Sequence, residues 1–133
     1  MSMPNSYPIS IFEADCFLDE VYDHLTPEEL SGLKTYLAGN PEAGVVVSGT
    51  NGVRKLRWGQ KSKNVGKRGG VRVIYYYRDL NMPLFLLAVY AKGQQADLTA
   101  KKKKELKLLI GEVLRNHSEQ ASTAILELVV SNY

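Results

Sequence analysis

The sequence predicts an α+β domain in which helices pack on a single antiparallel sheet. Three strand-like segments follow one another at residues 53–58, 71–78 and 84–90, and short connections between consecutive strands favour antiparallel pairing. Apolar residues recur at helical spacing both before and after this group of strands. The predicted order is therefore strand, two helices, three strands and helix, in one domain that spans residues 1–116.

The first strand and the first helix are predicted near the N-terminus. Residues 7–13 are rich in β-branched and aromatic side chains, and Pro8 restricts this strand to a strand start or a sheet edge. Apolar residues then recur three or four positions apart from Ala14 to Leu25, with acidic residues between them. This spacing predicts an amphipathic helix with one buried face.

The second helix begins with a recognisable capping pattern. Thr26 can cap the helix, Pro27 suits the first helical position, and Glu29 completes a capping box. The glycine at Gly39, followed by Asn-Pro, ends the helix. The predicted buried residues of this helix are Leu30, Leu33 and Leu37.

After Gly44 the pattern changes from helix to sheet, beginning with a short apolar run at residues 45–47. Within residues 53–58 the side chains alternate, so Val53, Lys55 and Arg57 share one face while Arg54, Leu56 and Trp58 share the other. Residues 71–78 give the clearest strand pattern. Residues 84–90 are apolar throughout, which is typical of a strand buried on both faces.

A final helix is predicted to begin near Thr99. Its predicted apolar face consists of Leu106, Leu109, Ile110, Val113 and Leu114. Residues 117–133 form a C-terminal extension for which an added strand, a continuation of the helix and a disordered end all remain open.

Composition suits an ordinary globular protein, with 133 residues, 44% hydrophobic and 23% charged. Cys16 is the only cysteine, so no intramolecular disulfide can form, and no apolar run is long enough to span a bilayer. The first ten residues lack a basic segment followed by an apolar one, so no signal peptide is predicted. Together these features predict a cytoplasmic protein without a membrane association.

Positive charge is concentrated in the middle of the chain. The net charge is only +3, but no acidic residue lies between Glu42 and Asp79. The basic residues of this stretch are Arg54, Lys55, Arg57, Lys61, Lys63, Lys67, Arg68, Arg72 and Arg78. Such a block attracts a phosphate backbone, although Lys61, Lys63, Lys67 and Arg68 fit a solvated loop equally well.

Two arginines of this block are not explained by a solvated loop, because Arg57 and Arg72 lie inside strand-like segments. Lys55 and Arg57 are two positions apart and therefore share a strand face. If Arg72 pairs near them across an antiparallel ladder, we expect three cations to converge on one surface.

Three segments resemble the RelE/ParE superfamily, most closely its HigB-like RelE branch. They read GVRKLR at 52–57, GKRGGVRVIYYY at 66–77 and LAVYAK at 87–92, and the resemblance extends over roughly residues 7–115. It implies a compact toxin of a type II toxin–antitoxin system that enters the ribosome and cleaves messenger RNA. It also implies a cognate antitoxin as partner, which we expect to be a helix-turn-helix DNA-binding protein.

The resemblance also implies a set of site residues. By their positions in the motifs, Lys55, Arg57, Arg72 and Lys92 match basic active-site residues of this family. We expect Arg57 and Arg72 to hold the scissile phosphate, and Lys55 or Lys92 to transfer protons. Further contacts with RNA are expected from Arg54, Lys61, Lys63, Lys67, Arg68, Tyr90, Lys101 and Lys102. No metal ion and no cofactor is expected.

The chain departs from the family pattern after the last predicted strand. Some RelE-type enzymes carry a further arginine and a catalytic tyrosine there, whereas residues 93–99 contain neither. The two histidines, His24 and His117, lie outside the basic motifs, so we expect them to have surface or core roles.

Two other functions fit the same sequence. ParE-like members share the fold and inhibit DNA gyrase without nuclease activity. A non-catalytic nucleic-acid-binding module would also have a basic central segment. The density of cations on the predicted strands favours RNA cleavage over gyrase binding, because an inhibitor that binds a protein does not need them.

Overall fold

The computed structural model describes residues 9–60, 64, 66, 70–93 and 99–131, with the side chains of the last helix described as far as residue 115. In order, the elements are β1 (Ile11–Glu13), α1 (Asp15–Val21), α2 (Pro27–Gly39), β2 (Val45–Val46), β3 (Val53–Trp58), β4 (Val71–Tyr76), β5 (Leu84–Ala91) and α3 (Ala100–Ser131). The predicted α+β class is confirmed. As far as the described residues go, none of the helices has the length and hydropathy that crossing a bilayer requires.

The strands form one five-stranded sheet in the order β1-β5-β4-β3-β2. The pairs β2–β3, β3–β4 and β4–β5 are antiparallel, as predicted. The prediction of a wholly antiparallel sheet is wrong for β1, which runs parallel to β5 with Ile11 opposite Leu84. These two strands are joined through all the intervening elements rather than by a hairpin, so no short connection fixes their relative direction.

The capping box at the start of α2 is confirmed. The Glu29 backbone N–H donates to Thr26 Oγ1 at 3.1 Å, and the Thr26 backbone N–H donates to Glu29 Oε1 at 2.8 Å. Pro27 occupies the first helical position, where its missing N–H has no consequence. These contacts fix where α2 begins, and its buried stripe is the predicted one: Leu30, Leu33 and Leu37.

The helices divide between the two faces of the sheet. On one face, which we call the α1–α2 face, the core consists of Phe17, Val21, Leu25, Leu30, Leu33, Leu37, Leu56, Val71, Val73, Tyr75, Leu84, Leu86 and Val89. On the other, the α3 face, the core consists of Val53, Ile74, Tyr76, Met82, Phe85, Leu87, Tyr90, Leu106 and Ile110. The sheet is thus packed by helices on both sides, and the two clusters share no residue.

The last helix is longer than the predicted domain. It continues to Ser131, so the C-terminal extension is a continuation of the helix as far as that residue. Leu106 and Ile110 are buried as predicted, but Leu109 is 36% exposed and does not belong to the buried face. The sheet contacts only the narrow stripe of α3 that lies directly above it, and Leu109 lies beside that stripe.

Candidate functional site

The predicted alternation along β3 places two cations on the α3 face. Val53 belongs to the core of that face and Leu56 to the core of the other. Because strand side chains alternate, Lys55 and Arg57 lie on the same face as Val53. Arg57 is exposed, whereas Lys55 is half-buried.

The third cation comes from the neighbouring strand. In the β3–β4 ladder Arg57 lies directly opposite Arg72, and Lys55 lies opposite Ile74. Since Ile74 belongs to the α3-face core, Arg72, two positions earlier, also lies on that face. We call Lys55, Arg57 and Arg72 the cationic cluster. The structure brings these three residues together, as the sequence analysis expected.

The Arg57–Arg72 pair places two like charges on adjacent strands of the sheet. Like charges directly opposite each other on adjacent strands are destabilising, and strand axes are only about 4.8 Å apart. The ion pairs of described residues are formed by Lys34, Arg78 and Lys102, and none includes Arg57. An anion bound between two guanidinium groups would relieve this arrangement.

A close backbone approach holds this end of the sheet in place. A Cβ atom on Gly70 would lie 2.0 Å from the carbonyl oxygen of Trp58, so only glycine fits where β4 begins beside the end of β3. The Lys92 backbone N–H donates to the Gly70 carbonyl at 3.0 Å. Lys92 therefore lies at the same end of the sheet as Arg57 and Arg72, and it is exposed.

A β-bulge in β5 determines what lies beside Arg72. Tyr75 pairs with Leu86 and Ile74 pairs with Ala88, so Leu87 is the additional residue. The bulge places Tyr90 opposite Arg72. Without the bulge, the register set by Tyr75 and Leu86 would have placed Val89 there. Tyr90 consequently joins the α3 face, where it is 8% exposed.

A cavity of about 480 Å³ lies on the far side of Tyr90, the residue opposite Arg72, and none of the three residues of the cationic cluster lines it. We call it the α1–α3 cavity. Its walls come from α1 and the residues that follow it, from β4 and β5, and from the start of α3: Cys16, Glu20, Asp23, His24, Ile74, Leu87, Ala88, Val89, Tyr90, Lys102 and Leu106. Two of its lining residues are neighbours of Arg72. Ile74 lies two positions after Arg72 along β4, and Tyr90 lies opposite Arg72 on β5.

The single cysteine lines this cavity and contacts the bulge. Cys16 Sγ donates to the Leu87 carbonyl oxygen at 2.9 Å. Partial burial raises the pKa of the Cys16 thiol, and Glu20 raises it slightly further, while backbone hydrogen bonds and Lys102 act in the opposite direction. Glu20 and Lys102 thus both lie close enough to Cys16 to influence its charge.

The end of α1 is held against the sheet next to the same cavity. Gln60 Nε2 donates to the His24 carbonyl oxygen at 2.8 Å, and Gln60 is buried. This contact brings His24 into the wall of the α1–α3 cavity. His24 is half-buried there, and the cavity is not lined by Lys55, Arg57 or Arg72; the side chain of His117 lies outside the part of the chain described.

Arg54 lies apart from the cationic cluster. It pairs with Tyr75, a residue of the α1–α2 core, and its Nη1 donates to the carbonyl oxygens of Gly44 at 2.7 Å and Glu42 at 3.1 Å. These bonds anchor the segment before β2. Arg54 was expected to contact RNA, but the structure places it on the opposite face and gives it a local structural contact.

Tyr75 also has a structural position. Its hydroxyl donates to the Pro41 carbonyl and accepts from the Gly44 backbone N–H, both at 2.8 Å. Burial raises the pKa of Tyr75, and burial likewise raises that of Tyr76. All three of Tyr75, Tyr76 and Tyr90 are core residues, and Tyr90 lies opposite Arg72 of the cationic cluster.

The remaining predicted RNA contacts are only partly described. Lys61, Lys63, Lys67 and Arg68 lie outside the described residues. At the start of α3, Lys101 is exposed, and Lys102 lines the cavity while forming an ion pair of 3.7 Å with Glu105. The Lys102 backbone N–H is capped by Thr99 Oγ1 at 3.1 Å, so α3 begins beside the cavity.

Sequence reasoning missed the contribution of α1 to this site. Cys16 and Glu20 are four residues apart, a spacing that places their side chains on one side of α1, and His24 lies just beyond the end of that helix. The pattern was visible in the sequence, but it could not show that this side faces α3 rather than solvent.

Within the described residues, no group of three or more histidine, cysteine or acidic side chains is arranged to hold a metal ion. No protein-family model matches this chain.

Proposed function

We propose that this protein is the toxin of a type II toxin–antitoxin system and that it cleaves messenger RNA on the ribosome. The observation that carries the proposal is the Arg57–Arg72 pair, in which two arginines lie directly opposite each other on adjacent strands, with Arg57 exposed and Arg72 half-buried. The resemblance of residues 52–57, 66–77 and 87–92 to RelE-type toxins supports it. So does the stretch from Glu42 to Asp79, in which every charged residue between the two acids is basic.

The cationic cluster suits phosphodiester transfer by an internal nucleophile. The ribose 2′-oxygen attacks the neighbouring phosphorus and the bond from phosphorus to the 5′-oxygen breaks, leaving a cyclic phosphate and a 5′-hydroxyl. Arg57 and Arg72 would hold the two non-bridging oxygens and stabilise the additional negative charge of the transition state. This step requires neither a metal ion nor a cofactor.

The same step requires two proton transfers. The proton leaves the 2′-hydroxyl, and the 5′-oxygen receives one as it departs. Lys55 lies two positions from Arg57 along β3, about 6.6 Å away, and Lys92 lies at the same end of the sheet. We assign the proton transfers to these two lysines, with Lys101 and Lys102 as contacts for more distant phosphates.

The partners in this proposal are the ribosome, its message and a neutralising antitoxin, all in the cytoplasm. The antitoxin is expected to be a small protein with a helix-turn-helix domain, encoded beside this chain. A neighbouring gene for such an antitoxin would support the proposal. The absence of such a gene beside the gene for this chain would count against it.

The deciding experiment mixes the purified protein with translating ribosomes and maps the ends of the message. We expect new ends within the codon in the ribosomal A site, and we expect Arg72→Ala to reduce their yield strongly. Arg78→Ala serves as the matched control, because Arg78 is a nearby exposed arginine paired with Asp79 at 3.3 Å and lies beyond the other end of β4.

Two outcomes would replace the proposal. An intact message together with inhibited DNA supercoiling by gyrase would identify a ParE-like inhibitor. A non-catalytic binding module would be identified by two results together: the message stays intact, and the affinity for RNA or DNA falls with each lysine that is removed.

A further inference from the structure

The α1–α3 cavity has the size of a site for a small ligand. Its volume of about 480 Å³ falls within the range of small-molecule pockets, roughly 300–1000 Å³. It adjoins Arg72 through Tyr90, the residue opposite it in the sheet. Adjacent strands are about 4.8 Å apart, so a phosphate held by the arginine pair and a ligand in the cavity would be close neighbours.

The walls of the cavity combine an apolar floor with carboxylates. Ile74, Leu87, Ala88 and Leu106 contribute the apolar part, which suits the face of an aromatic ring. Glu20 and Asp23 contribute two carboxylates from α1 and the residues that follow it, and neither takes part in the ion pairs formed by the described residues. His24 and Lys102 complete the polar lining, with Lys102 paired to Glu105 at 3.7 Å. A planar ring with hydrogen-bond donors on its edge would suit the apolar floor and the two acids.

Among the RNA bases, guanine meets this requirement best. An ionised carboxylate accepts hydrogen bonds and cannot donate them. The Watson–Crick edge of guanine has two adjacent donors, N1–H and the N2 amino group. Adenine and cytosine place one amino group beside an acceptor nitrogen, and uracil places one N–H between two carbonyl oxygens. These acceptors would be repelled by a carboxylate.

We propose that the α1–α3 cavity binds the guanine base of a nucleotide next to the scissile phosphate, and that Glu20 and Asp23 select it. The proposal rests on the RNA-cleaving function above. It adds a base preference at the cleavage site, set by residues at the end of α1 rather than by the cationic strands. Bidentate recognition of a base typically favours the correct one by about ten-fold or more.

Cys16 provides a built-in reporter for the test. It is the only cysteine and it lines the cavity, so a ligand there should slow its modification by a thiol reagent. The probes are the 2′-deoxy dinucleotides of guanine, adenine, cytosine and thymine, which lack the attacking hydroxyl. We expect the guanine dinucleotide to protect Cys16 at a concentration about ten-fold lower than the others.

Variants of the intact protein separate the cavity from the cluster. Glu20→Gln and Asp23→Asn, combined, should abolish the preference for guanine. Asp19→Asn is the matched control, because Asp19 is an exposed acid of the same helix that does not line the cavity. Arg72→Ala should lower the affinity for all four dinucleotides. Guanosine, which has no phosphate, should bind this variant and the wild type with equal affinity.

Each outcome decides between the two proposals. Equal protection by all four dinucleotides, or protection by none, would overturn the guanine site. Message cleavage with an unchanged base preference in the Glu20→Gln/Asp23→Asn variant would also overturn it, yet leave the nuclease intact. Conversely, selective protection by guanine in a protein that cuts no message would retain the base site and overturn the proposed reaction.

Discussion

The two faces of the sheet use their side chains differently. On the α1–α2 face, two helices cover an apolar core, and the one arginine that β3 presents there, Arg54, is bound by the Gly44 and Glu42 carbonyl oxygens. On the α3 face, one helix covers part of the sheet, and the rest presents Lys55, Arg57 and Arg72. Two arginines in direct opposition are a cost that a structural face would avoid.

The proposed function gives the two faces different roles: the α1–α2 face maintains the fold, and the α3 face binds the substrate. A buried polar group is tolerated when its hydrogen bonds are satisfied within the protein, as they are for the Tyr75 hydroxyl. Under the proposed function, the pair of like charges at the end of the sheet would instead be stabilised by the bound phosphate. Variants on each face test this distinction, and they follow in order of decreasing effect.

The greatest change is expected for Arg57→Ala. The rate of message cleavage should fall about 100-fold to 1000-fold, as it does when one transition-state donor is removed from other enzymes. Arg57→Lys should give an intermediate rate, because lysine keeps the charge and loses the two-pronged geometry. The measurement is single-turnover cleavage on programmed ribosomes.

Stability gives the complementary readout for the same variant. Removing one of two opposed arginines should leave the free energy of unfolding unchanged or raise it by about 0.2–1 kcal/mol. A large loss of stability in Arg57→Ala, measured by urea denaturation, would show that the arginine pair supports the fold and would break the contrast between the faces.

Gly70→Ala should disturb the end of the sheet that carries the cluster. The new Cβ would collide with the Trp58 carbonyl, so β3 and β4 must separate there, at a cost of about 1–3 kcal/mol. Gly66→Ala is the matched control in the same connection, since a Cβ atom on Gly66 would have no other atom within 4 Å. Equal thermal stability of the two variants would contradict the close approach.

Tyr75→Phe should weaken the α1–α2 face alone. The substitution leaves the Gly44 N–H and the Pro41 carbonyl without their partner, which should lower the free energy of unfolding by about 1–2 kcal/mol. Tyr22→Phe is the control, because Tyr22 is 59% exposed. The rate of cleavage per folded molecule should not change. A lower rate per folded molecule would show that the α1–α2 face also contributes to activity.

The mildest effect concerns the pH dependence of Cys16 modification. Burial raises the pKa of this thiol, so the reactive thiolate should form at a higher pH than in free cysteine, for which the pKa is about 8.5. The rate of alkylation against pH should therefore have a midpoint above that of the unfolded chain in denaturant. A midpoint at or below that of the unfolded chain would show that the cavity wall is fully solvated.

Local features of the molecule follow from the sequence alone. The capping box at Thr26 and Glu29 involves residues within a single turn. The shared face of Lys55 and Arg57 follows from the two-residue period of any strand. Both could be predicted because each depends on neighbours in the chain.

Tertiary packing, in contrast, settles which elements meet. The pairing of Arg57 with Arg72, the bulge at Leu87 and the parallel position of β1 depend on register between distant segments, which the packing of both cores selects. The same holds for α1, whose Glu20, together with His24 just beyond the helix, forms a cavity wall only because α3 begins opposite them. Local periodicity can assign a side chain to a face, but contacts between elements determine what that face encounters.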